Sequence, residues 1–142
     1  MNEPIKTVFN TGTVEYSLND KLHRIGGPAV EFASGYRSWY VNGNLHRTNG
    51  PAIEHTDGTK EWYRNGKHHR TDGPAVELIN GSKAWYINGR CHRTDGPALE
   101  WANGAKEWYV NGLKLTTQNH NQFQIKYPEL VDQFLTYEAL GR

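Results

Sequence analysis

The residues best suited to chemistry recur in ranks. The pair His-Arg stands at His23-Arg24, His46-Arg47, His69-Arg70 and His92-Arg93, each 23 residues from the next. Glu31, Glu54, Glu77 and Glu100 keep the same interval. Arginine matches carboxylate and phosphate oxygens through two parallel N–H groups. The two ranks therefore admit structural ion pairs, or a row of sites in which Arg24, Arg47, Arg70 and Arg93 hold an anionic ligand. Successive histidines, stacked by the repeat, could hold a metal or relay a proton. Their spacing along the chain lacks the short intervals of a zinc motif, and neither a metal nor any other cofactor is expected. Cys91 is the single cysteine, so no disulfide and no multi-thiolate metal site can form within the chain. It falls at a variable site, filled by Leu45, His68 and Leu113 in the other copies. No Ser-His-Asp signature, phosphate-cradling glycine loop or His-Glu-x-x-His occurs. The reading is non-enzymatic.

A third rank is aromatic: Trp39, Trp62, Trp85 and Trp108, each followed by tyrosine. They serve either as the core of a thin sheet or as an aromatic recognition face. The second copy departs from the others. It has His55 where they have Phe32, Leu78 or Trp101, and Arg64 where they have Val41, Ile87 or Val110. The candidate binding residues are thus the four tryptophans with His55 and Arg64.

The punctuation of the repeat says what positions these groups. Gly-Pro-Ala recurs at Gly27, Gly50, Gly73 and Gly96, and Asn-Gly at Asn42, Asn65, Asn88 and Asn111. In the third copy Pro74 to Leu78 is a short extended run and Asn80-Gly81 a turn. Lys83 to Ile87 is a second strand, and Asn88-Gly89 is a two-residue hairpin turn that demands positive φ. Alternation predicts Val76, Leu78, Trp85 and Ile87 on one face, with alanine, glutamate and tyrosine on the other. A worn copy spans about residues 5–22 and full copies about 23–115, giving a β-hairpin array over 1–115. Residues 116–142 change character. Pro128, Glu129 and Gly141, with the stripe Leu130, Val131, Phe134 and Leu135, predict an amphipathic helix that closes the array. Thr117 is a candidate cap for a shorter helix through Gln122, Phe123 and Ile125.

The chain has 142 residues, of which 36% are hydrophobic and 12% aromatic, and a net charge of +1. One folded domain is expected. A balance so near zero lacks the excess positive charge of a general nucleic-acid or membrane binder. The start of the chain lacks a signal-like apolar run, and no stretch is long enough to cross a membrane. A cytoplasmic protein is expected, in the host cytoplasm if the source is viral.

The residues Gly-Pro-Ala-x-Glu, Gly-x-x-x-Trp-Tyr-x-Asn-Gly and His-Arg give the unit its kinship: it resembles a variant MORN repeat. It is closer to the variant form in bacterial YwqK-like proteins than to the eukaryotic form, and similar arrays occur in phage and large-virus proteins. The resemblance covers about four-fifths of the chain. It implies a mainly β fold, an elongated antiparallel sheet of stacked hairpins serving as a binding or scaffolding surface. It carries no catalytic residues. The Tyr-x-Gly-Glu opening of the eukaryotic form is replaced by Pro-Ala-x-Glu, and lipid binding is not carried over. The expected role is protein–protein interaction, as an inhibitor, immunity or adaptor protein of phage or bacterial origin. The alternative is a binder of a small anionic ligand such as a nucleotide. Open strand edges also predict a homodimer.

Overall fold

In the computed structural model, which describes residues 2–141, each unit folds as two successive hairpins. In the third, Val76–Glu77 pairs with Lys83–Ala84 and Tyr86–Ile87 pairs with Arg90–Cys91. The first hairpin closes when Leu78 N–H donates to Ser82 O at 2.9 Å. Its loop is Ile79–Gly81, with Gly81 at φ 91°. The second turns on Asn88 and Gly89 at φ 50° and 79°, the paired left-handed geometry that only Asn-Gly and its kin adopt cheaply. Asn42, Asn65 and Asn111 repeat it.

The first hairpins join edge to edge into one antiparallel sheet. It runs from Ile5–Val8 to Lys106–Glu107 in hairpin order, with Lys21–Leu22 as a side branch. Arg37 faces Glu54, Lys60 faces Glu77 and Lys83 faces Glu100, so opposite charges match across the three joints between full units, whereas at the first joint Val14 faces Glu31. The second hairpins form four small sheets. Backbone bonds also stitch these together, as when Arg70 N–H donates to Tyr86 O and Gly89 N–H to His68 O.

The register corrects the expected faces. Val76 opposes Ala84, and direct partners share a face. Trp85 and Ile87 therefore lie opposite to Val76 and Leu78, on the side of Ala75 and Glu77. Tyr86 joins the valine side. The reason is the three-residue loop: it pairs residues of equal parity, whereas the expected face needed unequal parity. Ala29, Ala52, Ala75 and Ala98 are fully enclosed on the tryptophan side, which leaves that position no room for a larger residue.

The helix Pro128–Ala139 begins with Pro128 in its first turn and Glu129 near its positive end. It buries Leu130, Val131 and Phe134 against Trp108, Val110 and Leu115. Leu135 lies partly outside that core. Where Thr117 was expected to start a helix, a single turn of tighter helix, His120–Phe123, appears instead, without a side-chain cap. Ile125 lies beyond it and is exposed. No described helix is long and apolar enough to cross a membrane.

Candidate functional site

On the tryptophan side, each ladder arginine is held from several directions. Arg47 lies 3.8 Å over the Trp39 ring, and Arg70 and Arg93 lie 3.9 Å over Trp62 and Trp85. Arg24 covers Tyr16 at 3.9 Å, which shows the worn first copy using the same device. One Nη of each guanidinium donates to the proline carbonyl four residues on. The same nitrogen meets a glutamate in three units: Arg47–Glu54 at 3.2 Å, Arg70–Glu77 at 3.1 Å and Arg93–Glu100 at 3.2 Å. Arg70 and Arg93 add Asp72 and Asp95. In the first unit Glu31 instead lies 4.0 Å from Arg37. The other side of the guanidinium is glycine: a Cβ on Gly50 or Gly73 would stand 2.9 Å from the arginine Cζ. Gly-Pro-Ala starts with glycine to admit that group. The ladder is thus engaged in stacking and pairing, and Trp39 and Trp108 are buried while Trp62 and Trp85 are half-buried beneath arginines.

The histidine rank has an equally local task. Nδ1 of His23, His46, His69 and His92 accepts the backbone N–H of Asn42, Asn65, Asn88 and Asn111 at 2.9 to 3.1 Å. Each imidazole pins the Asn-Gly hairpin turn 19 residues further along the chain. Burial, with the charge of Lys126 behind it, lowers the His92 pKa. Among the described residues no group of three or more His, Cys, Asp or Glu is placed to hold a metal ion.

The opposite side is where side chains stand open. Tyr40, Tyr63, Tyr86 and Tyr109 form a file of half-buried phenols along it, beside Val30, Ile53, Val76 and Leu99. Phe32, Leu78 and Trp101 line its border, 46%, 39% and 46% exposed. His55 takes the same position in the second unit, where it binds a carboxylate. His55 Nε2 donates to Glu61 Oε1 at 2.8 Å, and His68 Nε2 donates to Oε2 at 2.7 Å. Tyr63 adds a third bond at 3.0 Å. The His68 bond foremost, against the cost of burial, holds Glu61 down at about 2. Burial and the Glu61 charge push the Tyr63 phenol well above its usual value. His68 packs between Tyr63 and Tyr86, with ring centroids 4.2 and 5.2 Å away. Sequence reasoning picked out His55 but missed Glu61 and His68. The signal was present, since Ser38 and Ala84, and Leu45 and Cys91, fill those positions in neighbouring units.

Arg64 lies on the tryptophan side, away from His55, so the two departures of the second unit do not form one site. It is exposed, with no described ion pair, and borders a groove of about 370 Å³ with Arg47, Trp62, His69 and Arg70. The hairpin register puts Lys114, not Leu113, at the Cys91 position, and Lys114 reaches Glu107 at 3.5 Å. Burial and the Glu107 charge push the Cys91 thiol up to about 11, the reverse of an activated nucleophile.

The chain matches no protein-family model, and no curated protein matches it.

Proposed function

We propose that this chain is a non-enzymatic binding scaffold that engages another protein across the tyrosine-bearing side of its sheet. The observation that carries the reading is the file Tyr40, Tyr63, Tyr86 and Tyr109 with its exposed border of Phe32, Leu78 and Trp101. Tyrosine gives large contact area with few rotamers to freeze, and aromatic residues concentrate at interface centres. Among the described residues the buried apolar cluster lies at the helix end, so it does not account for this surface. The tryptophans favoured by composition serve the fold beneath their arginines, and the contact moves to the tyrosines.

The test is comparative capture from source or host lysate. A specific protein should bind wild type and Arg64→Ala, and should be lost with Tyr63→Ser/Tyr86→Ser under conditions where circular dichroism shows that variant still folded. Binding indifferent to the tyrosine pair sinks the reading.

One observation favours a second reading, a small anionic ligand. Arg64 supplies a guanidinium with no described partner, and His69, whose Nδ1 is occupied, has Nε2–H left to donate. A concentration-dependent thermal shift with nucleotides that disappears in Arg64→Ala would favour it.

A further inference from the structure

The two ends of the long sheet are finished differently. At one end, Lys106 directs its N–H outward and Tyr137 Oη accepts it at 2.9 Å, with the helix packed alongside. At the other, all four residues of Ile5–Val8 are exposed, Ile5 at 69% and Val8 at 64%. No described strand pairs with the outer edge of that strand.

Alternation fixes which backbone groups that edge presents. Phe9 N–H donates inward to Thr13 O at 2.9 Å. Thr7 and Ile5, two and four residues back, also turn inward, toward Val14–Leu18. Tyr16, opposite Lys6, sends its own N–H away, to Ala29 O. Lys6 and Val8 therefore hold N–H and C=O outward.

We propose that a second copy of this chain docks on this edge, antiparallel, with Thr7 on the twofold axis and Lys6 of each copy opposite Val8 of the other. A twofold perpendicular to the sheet brings like face to like face, so paired residues must be of equal parity. Centring on Lys6 sets two ammonium groups together and asks Pro4 for an N–H that proline lacks. Centring on Thr7 avoids both. The outward groups of Lys6 and Val8 then form a closed pair of hydrogen bonds on each side of the axis, Thr7 meets Thr7, and Ile5 meets Phe9. Because the far end is closed by Tyr137 and the helix, assembly stops at two copies. The inference is independent of the protein-binding reading. It adds that the twofold sets both tyrosine files on one side of a doubled sheet.

The test is sedimentation of the full chain over rising concentration. Mass should climb from 16.2 kDa toward twice that value. Val8→Pro removes only an outward N–H and should hold the chain at one copy with its circular dichroism unchanged. In a Cys91→Ser background, Thr7→Cys should cross-link under mild oxidation, because a non-hydrogen-bonded pair brings Cα atoms to about 4.5 Å, within disulfide reach. A chain monomeric throughout, leaving the edge to a strand of some other protein, overturns the proposal. So does a folded Val8→Pro that still dimerises, or a Thr7→Cys that does not cross-link.

Discussion

The guanidinium of Arg70 lies 3.9 Å over the ring of Trp62, and the space on its other side exists only because residue 73 is glycine. Gly73 does not adopt the left-handed region, so its role is space rather than backbone freedom. Gly73→Ala should cost about 1–3 kcal/mol by driving the arginine off the ring. In an Arg70→Ala background the same change should cost nothing, or stabilise slightly by restricting the unfolded chain. Urea midpoints of the four proteins measure this coupling. Equal costs in both backgrounds would contradict it.

His92 makes stability pH-dependent with a definite sign. Its pKa is lowered in the folded chain, and its Nδ1 must stay unprotonated to accept Asn111 N–H. The unfolded chain therefore binds the proton more readily. The contribution is complete above about pH 6.5, the unfolded value, and is lost as pH falls through the lower folded value. The urea midpoint should drop as pH falls below about 6.5. His92→Gln should flatten part of that slope, and a slope identical to wild type would count against the assignment.

Glu61 titrates lower. Its pKa falls from 4.5 to about 2 in the fold, so its contribution is present above the unfolded value and lost as pH drops toward 2. Glu61→Gln should cost about 1–3 kcal/mol at pH 7, because His55, His68 and Tyr63 all donate to the charged acceptor. The gap between variant and wild type should close in acid. A gap that persists at pH 2 would mean that the loss is one of packing rather than charge.

These cases mark what the sequence could disclose. The period, the positive-φ Asn-Gly turns and the closing helix follow from local chemistry and could be read directly. So could the pairing of Arg47 with Glu54, because the two ranks run in phase. Face assignment could not, because it depends on whether the loop after Leu78 has two or three residues. Asn80-Gly81 invites the shorter count, and the Leu78 to Ser82 bond sets the longer. That one residue moves the tyrosines to the open side and the tryptophans beneath the arginines. His68 and Glu61 each stand out from the neighbouring units, but their link was hidden for a related reason: only the pairing of Tyr63 with His68 brings them together.

Trp108 is the one repeat tryptophan with no ladder arginine, because Thr116 stands where the fifth would be. Phe134 and Tyr137 take over its ring, at centroid distances of 5.9 and 5.1 Å. Leu115 replaces the fifth histidine and is buried among helix residues, yet its N–H still donates to Trp108 O as each repeat histidine does to its own aromatic residue. The cap is therefore a unit whose polar clamp has been exchanged for an apolar one. Phe134→Ala should cost about 3–5 kcal/mol locally. Units of such an array touch only their neighbours, so the loss should stay near the helix. Hydrogen exchange should accelerate at Trp108 to Leu115 while the amides of Trp39 and His46 remain protected. A uniform loss of protection along the sheet would show that the array unfolds as one body and that the helix supports all of it.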